Sequence, residues 1–185
     1  MSAKSRRVAI GVLVLGVAAV ALVATRPSAF VVERSAVIAA PPGVVYGHIA
    51  SLRAMDAWSP WVRMDAQIKV VYEGPESGVG ARSAWEGPEM GQGRLIVTAV
   101  EPDREVEMKL EMLSPMAATN RIVFTLAPSG GGTQVTWRME GRNGFVGKAF
   151  GLFMDMDGMV GGPFESGLVS LAALAEADAG KRSVQ

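Results

Sequence analysis

The chain has 185 residues, with 18 basic and 18 acidic side chains, one His and no Cys. Hydrophobic residues make up 49% and charged residues 19%, a balance that excludes intrinsic disorder for most of a chain whose length suits one domain or two. The lack of Cys excludes disulfides, thiolate nucleophiles and Cys-based metal sites, and a single His excludes a His-rich metal site.

Positive charge is concentrated at the N-terminus. Residues 1–29 carry Lys4, Arg6, Arg7 and Arg26 and no acid, so the remaining residues have a net charge of −4. Contact with phosphates needs clustered Lys and Arg, and no such cluster is present in the acidic remainder. We therefore expect no nucleic-acid partner.

Residues 8–24 form an uncharged apolar run that follows the basic flank at 1–7. As a helix this run would span about 25 Å, close to the ~30 Å hydrocarbon core of a bilayer. We predict a single-pass transmembrane helix at 8–25, with the N-terminus cytoplasmic and the domain extracytoplasmic because the basic flank precedes the helix. In the alternative interpretation the run is a signal peptide cleaved near Ala19-Val20-Ala21, which would leave a secreted or periplasmic protein.

The next segments predict a strand followed by a short helix. Phe30–Ile38 is rich in β-branched residues and Pro41-Pro42 ends it. Proline fits the first turn of a helix, so we predict a helix over Pro42–Leu52.

Six further apolar runs, separated by turns rich in Gly and Pro, predict consecutive antiparallel strands. The clearest is Glu105–Leu113, in which apolar and charged side chains alternate, as is typical of a strand with one covered and one solvated face. The other five are Gln67–Glu73, Ala81–Glu86, Arg94–Val100, Arg121–Leu126 and Thr133–Glu140.

Helical periodicity returns after the last strand. We predict a helix over Phe145–Val160, an interruption at Gly161-Gly162-Pro163, and a second helical stretch with Phe164, Leu168 and Leu171 on one face. Residues 179–185 are polar and are expected to form a flexible tail. This element order predicts an α+β fold in which an antiparallel sheet of about seven strands curves around the C-terminal helix and leaves an apolar cavity between them.

Several motifs resemble those of a known superfamily. They are Trp58-Ser59-Pro60-Trp61, the turns at Tyr72–Pro75 and Gly78–Gly80, the strand Gly132–Trp137, and the closing Phe164-Glu165-x-Gly167-Leu168. Over about residues 30–177 they are similar to the SRPBCC superfamily, the START-like group that includes polyketide cyclases and lipid-transfer domains. The resemblance implies a helix-grip fold and a ligand-binding domain over 30–178, to which the membrane segment is an addition. We recognise no catalytic motif of the superfamily.

Apolar and aromatic side chains on the inward faces are the candidate ligand contacts. For each of them ordinary core packing is the competing interpretation. For Trp58 and Trp61 we give about equal weight to a position at the pocket rim and a position in the core. We expect no metal site and no cofactor. The candidates are Trp58, Trp61, Tyr72, Trp85, Met108, Leu110, Met112, Phe124, Trp137, Met139, Phe153, Asp157, Phe164 and Leu168.

Three functions compete at this stage. The one we favour is a membrane-anchored domain that binds a small hydrophobic ligand such as a lipid, an isoprenoid or a polyketide-like molecule. The second is a cyclase or dehydratase acting on a bound apolar carbonyl compound, with His48, Tyr72, Arg138 or Asp157 as acid, base or oxyanion partner. The third is a domain that binds a protein partner, whose identity the sequence does not indicate.

Overall fold

The computed structural model describes residues 11, 13–14, 17–18, 20–151 and 156–183. From residue 29 onward these residues form one antiparallel sheet and five helices. The strands are β1 (Ala29–Ile38), β2 (Lys69–Glu73), β3 (Arg82–Gly87), β4 (Gly91–Glu101), β5 (Glu105–Ser114), β6 (Ala118–Ser129) and β7 (Gly132–Arg142). The helices are α1 (Pro42–Ala50), α2 (Leu52–Asp56), α3 (Pro60–Met64), α4 (Phe145–Phe150) and α5 (Met156–Ser183).

The seven strands lie in the order β1-β7-β6-β5-β4-β3-β2, and all the pairs are antiparallel. The predicted curved sheet of about seven strands with a long C-terminal helix is therefore confirmed. The strands run between two ends of the sheet, which we call its lower and upper edges to distinguish them from the edge strands β1 and β2. The lower edge carries the start of β1 and the turns β3–β4 and β5–β6. The upper edge carries the end of β1 and the turns β2–β3, β4–β5 and β6–β7.

The alternation in β5 divides the sheet into a covered concave face and a charged convex face. Val106 and Met108 are buried, whereas the side chains between them point to the convex face. There Glu107 is paired with Arg121, and Glu111 is paired with Lys109 and Arg94. Exposed ion pairs contribute little stability, so the main effect of these charges is to keep the convex face in water.

Helix α5 packs chiefly along β1, and α1 crosses β5, β6 and β7. The predicted interruption at Gly161-Gly162-Pro163 is wrong, because α5 is continuous through Pro163. Arg34 of β1 approaches the helix here: a Cβ at Gly161 would lie 2.0 Å from its Nη2. The helix also continues to Ser183, past the point at which the sequence predicts a tail.

The sequence predicts one helix over Pro42–Leu52, whereas the structure has two helices, α1 and α2. α1 ends at Ala50, and Ser51, in an extended conformation, caps α2 by accepting a hydrogen bond from the Ala54 N–H at 3.4 Å. A serine oxygen at this position satisfies one of the free N–H groups at the start of a helix, which is why a new helix begins here. The break places Arg53 and Asp56 of α2 near the edge strand β2.

The predicted transmembrane helix at 8–25 lies partly outside the described residues. Residues 20–25 are helical, and the described side chains Leu13, Val14, Val17, Val20 and Leu22 are exposed. Within the described part of the chain, one helix is long and apolar enough to cross a membrane, at Asp157–Arg182 in α5. Phe164, Leu168 and Leu171 on that helix are buried in the core of the domain, so α5 is its central helix. The N-terminal transmembrane helix remains a prediction.

Candidate functional site

The upper half of the concave face is closed by packed aromatic rings. Trp137 stacks on Phe164 of α5 with 3.9 Å between ring centroids, and Phe124 lies 4.9 Å from Trp137 on the neighbouring strand. Trp58 meets both Phe124 and Trp137 edge to face, and its indole N–H donates to the His48 carbonyl at 2.9 Å. These rings fill the space beneath α5 in which the sequence predicts a cavity, so this half of the face is core.

The lower half of the same face is only partly covered. Strand register places two rows of side chains there, both on the concave side by alternation with the buried Met108 and Val97. Most of these side chains are half-buried, and we call this surface the concave trough. The first row is Phe30, Asn120, Leu110, Leu95, Ser83 and Tyr72, and the second is Met112, Gly93, Trp85 and Val70.

The concave trough contains no charged residue in either row. The charges of the same strands, including Arg94, Lys109 and Glu111, alternate onto the convex face. Its polar groups are the Asn120 amide, the Ser83 hydroxyl and the Tyr72 phenol, together with the indole N–H of Trp85. A half-buried apolar surface with a few neutral polar groups is typical of a site for a small hydrophobic ligand.

Trp85 lies flat against the floor of the concave trough because its neighbour in the sheet is Gly93. A Cβ at Gly93 would be 2.3 Å from Cζ2 of Trp85. The Trp85 N–H is buried and has no hydrogen-bond partner among the described residues. Leaving a buried donor unpaired costs about 1–3 kcal/mol.

A polar cluster meets the trough at Tyr72. The Tyr72 hydroxyl donates to the Asp56 carboxylate, and the Arg53 guanidinium lies 4.2 Å above the centre of the Tyr72 ring. Burial raises the pKa of Asp56 above its ordinary value, and the bond from Tyr72 and the charge of Arg53 only partly offset that effect. Burial and the Asp56 carboxylate also raise the pKa of Tyr72. The sequence did not indicate Asp56 or Arg53, and the one available signal was their spacing of one helical turn.

Two cavities of moderate size flank the edge strand β2. One, of about 290 Å³, is lined by residues that include Arg53, Tyr72 and Arg82. The other, of about 530 Å³, is bordered by Lys69, Glu86 and other residues of the lower edge. Neither is lined by residues of α5, and both have charged borders.

The buried Asp65 holds the lower edge together beside the second cavity. Its carboxylate accepts hydrogen bonds from the backbone N–H groups of Gln67, Glu89 and Met90, at 3.0, 3.0 and 3.1 Å. Burial would raise the pKa of Asp65, but these three bonds outweigh it and lower the pKa below the ordinary value. Asp65 is therefore a structural clamp between the segment before β2 and the β3–β4 turn.

The structure separates the predicted ligand contacts into groups. Tyr72, Trp85, Leu110 and Met112 belong to the concave trough, and Trp61 is half-buried against the core. Phe153 lies outside the described residues. Ligand contact stays a prediction at every one of these positions. The buried core holds Trp58, Met108, Phe124, Trp137, Met139, Phe164 and Leu168.

The predicted acid–base candidates other than Tyr72 have other partners. Asp157, predicted on an inward face, is instead exposed on α5 and forms an ion pair with Arg34 at 2.8 Å. His48 Nε2 lies 3.2 Å from Asp178 of α5. Arg138 is on the convex face, as its alternation predicts, and contacts Glu33. Within the described ranges, no group of three or more His, Asp or Glu side chains is arranged to hold a metal ion.

The sheet, the gripped C-terminal helix and the apolar concave face define a helix-grip domain. Residues 29–176 match the family model described as polyketide cyclase / dehydrase and lipid transport. The chain therefore belongs to this family, and the resemblance to the SRPBCC superfamily is confirmed. A comparison with curated protein sequences finds no match.

Solved structures share the fold at low sequence identity. Protein CV1439 from Chromobacterium violaceum is 17% identical, with a TM-score of 0.59 over 79% of this chain and 96% of that one. The Aha1 protein from Colwellia psychrerythraea is 17% identical, with a TM-score of 0.57 over 80% of this chain and 96% of that one. DynU16, a putative protein of the dynemicin biosynthetic locus, is 15% identical, with a TM-score of 0.56 over 80% of this chain and 48% of that one. At these identities the likeness establishes the fold alone.

Proposed function

We propose that this protein is a membrane-anchored binding domain for a small, neutral, hydrophobic ligand that lies in the concave trough. The observation that carries the proposal is the absence of charge in two adjacent rows of half-buried side chains, on a sheet whose opposite face is densely charged. The family to which the chain belongs, which includes lipid transport, supports the same class of ligand.

Apolar burial supplies most of the affinity in this proposal. Covering about 200 Å² of apolar surface contributes about 5 kcal/mol at ~25 cal/mol per Å², before the cost of association is subtracted. A single hydrogen-bond acceptor on the ligand, directed at the Asn120 amide, would fix its orientation. A charged group lying within the two uncharged rows would lose hydration without gaining a partner, so these rows favour a neutral ligand.

The N-terminal apolar run supplies the anchor. The described residues of this segment are helical near its end, and nearly all of their large side chains are exposed, as in a helix whose surroundings are lipid. With the basic flank in the cytoplasm, the domain lies outside it. An anchored domain would take its ligand from the membrane or its surface.

A second candidate function is cyclase-type catalysis at the Tyr72 end of the trough. The contacts of Tyr72 with Asp56 and Arg53 favour it, because they combine a phenol, a carboxyl of raised pKa and a cation beside an apolar surface. Arg53 would polarise the carbonyl oxygen of a bound compound. The ionised Asp56 would accept the proton of the neighbouring C–H bond, and the electron pair of that bond would form an enolate stabilised by Arg53. Turnover that is lost in Tyr72→Phe and Asp56→Asn, with ligand binding retained, would support this function over simple binding.

The binding proposal is tested with the full chain in nanodiscs and a neutral long-chain alcohol that carries a photoreactive diazirine. Leu110 and Lys109 are adjacent in β5 and face opposite sides of the sheet, so Leu110→Gln and Lys109→Gln form a matched pair. We expect Leu110→Gln to raise the alcohol concentration that gives half-maximal labelling by about 5- to 30-fold, the equivalent of ~1–2 kcal/mol of apolar contact. Lys109→Gln should change that concentration less than twofold. Equal effects of the two variants, or labelling confined to the convex face, would contradict the proposal.

A further inference from the structure

The lower edge of the sheet brings together three features that the binding site alone does not explain: the attachment point of the N-terminal segment, the open end of the concave trough, and exposed apolar side chains. We take the N-terminal segment to be the membrane anchor, as in the proposed function on which this inference rests.

The connection between the N-terminal helix and the sheet is short. Residues 20–25 are helical and β1 begins at Ala29, so the linker spans at most about 14 Å even when it is fully extended. The linker is also held in place, because the Asn143 N–H donates to the Ser28 carbonyl at 2.7 Å. Lys148 of α4 donates to the Ala24 carbonyl at 3.4 Å. The end of the helix is thus in contact with the β7–α4 region at the lower edge.

Large apolar side chains are exposed near the same edge. Leu113 is at the end of β5, Met116 is in the β5–β6 turn, and Phe145 begins α4 three residues after the end of β7. Each of the three side chains is at least half exposed. Antiparallel register puts the end of β5 and the end of β7 at the edge where β1 starts, so all three lie near the attachment point of the anchor.

The concave trough opens toward this edge as well. Its second row, Met112, Gly93 and Trp85, is the row closest to the β5–β6 and β3–β4 turns. The aromatic cluster around Trp137 and Phe124 closes the face toward the upper edge. A ligand leaving the trough along the sheet would therefore leave at the lower edge.

We propose that the lower edge docks on the bilayer surface, with Leu113, Met116 and Phe145 inserted at the boundary between headgroups and acyl chains, so that the trough opens directly onto the membrane. A tether that is this short and fixed keeps the edge within reach of the interface, and exposed apolar side chains there gain free energy by entering it. The partner is the lipid surface itself, and the ligand enters the trough from the bilayer without crossing water.

The test uses the absence of cysteine in the chain, which makes a single introduced thiol a unique labelling position. Met116→Cys places a label at the lower edge, and Val79→Cys places one in the turn between β2 and β3 at the upper edge. The two positions are matched, since Met116 is 50% and Val79 58% exposed. The full-length variants are labelled with an environment-sensitive fluorophore and reconstituted in phosphatidylcholine vesicles, with and without lipids that carry a quencher at the headgroup–acyl boundary.

We expect quencher-bearing lipid to reduce the emission of the Met116 label at least threefold and to leave the Val79 label nearly unchanged. A double Leu113→Asp, Phe145→Asp variant should abolish quenching at Met116 while the chain still floats with the vesicles. Equal, weak quenching at both positions in a chain that floats would overturn the docked edge and leave the anchor intact. A chain that does not float would overturn the anchor and the docking together. Neither result depends on ligand binding, which the diazirine labelling measures separately.

Discussion

Replacement of Gly93 by alanine tests whether the Trp85 indole forms the floor of the concave trough. A Cβ at position 93 would lie 2.3 Å from Cζ2 and 2.8 Å from Cε2 of Trp85, whereas ordinary contact begins at 3.4 Å. The ring would have to move away from the sheet by about 1 Å or more to restore normal contact distances. Such a shift would push the indole into the trough.

We expect Gly93→Ala to cost about 1–3 kcal/mol of unfolding free energy, the usual range for overpacking. Because the displaced ring occupies the trough, the concentration of diazirine alcohol that gives half-maximal labelling should rise as well. The control is Gly47→Ala in α1, where an added Cβ meets nothing within 4 Å. Gaining alanine in an exposed helical position should stabilise this variant by up to ~1 kcal/mol.

The unfolding free energy of both variants is measured by urea denaturation of the full chain in mild detergent, monitored by circular dichroism. A Trp85→Ala background removes the ring that the new methyl group would strike, so Gly93→Ala should cost much less there, and the difference is the interaction energy of the two positions. If Gly93→Ala were as stable as the parent, or if its cost were the same in the Trp85→Ala background, the assignment of the indole to the trough floor would be refuted.

Three further predictions concern the aromatic core and the two carboxyls whose pKa is shifted, those of Asp65 and Asp56. Phe164→Ala removes the ring stacked on Trp137 and should cost about 3–5 kcal/mol in the same denaturation assay, whereas an unchanged midpoint would contradict the packed aromatic core. The lowered pKa of Asp65 means that its contribution to stability is complete above its ordinary pKa of 3.8 and is lost as the pH falls through the lower folded-state pKa. Asp65→Asn should therefore be less stable at pH 7, and the difference from the parent should shrink in acid. The pKa of Asp56 is raised, so its ionisation costs stability as the pH rises from 3.8 through the folded-state pKa, and Asp56→Asn should flatten that part of the stability–pH curve.

Local pattern was sufficient to predict the sheet and the faces of its strands. The alternation in Glu105–Leu113 assigned Leu110 and Met112 to the covered face, and the register confirms their position there. Gly161 and Pro163 misled the prediction of the last helix, which is continuous because it packs along β1, more than 120 residues earlier in the chain. A contact of that range leaves no periodic signal in the sequence.

The division of the concave face into a closed and an open half could not be predicted in the same way. Phe124 and Leu110 have the same alternation signal in their strands, yet one is buried under aromatic rings and the other is half-exposed. The difference depends on where α1 and α5 cross the sheet, which is set by tertiary packing. The pairing of Asp56 with Tyr72 depends in turn on the break at Ser51 that begins a separate helix.

The most direct test of the ligand site is a crystal structure of the protein soaked with a brominated neutral alkyl ketone, in which anomalous scattering locates the bromine. We expect a bromine peak within van der Waals contact of Leu95 and Leu110, with the ketone oxygen directed toward the Asn120 amide. A peak in one of the two charged cavities beside β2, or an empty trough in crystals of protein that binds the same ketone in solution, would contradict this expectation.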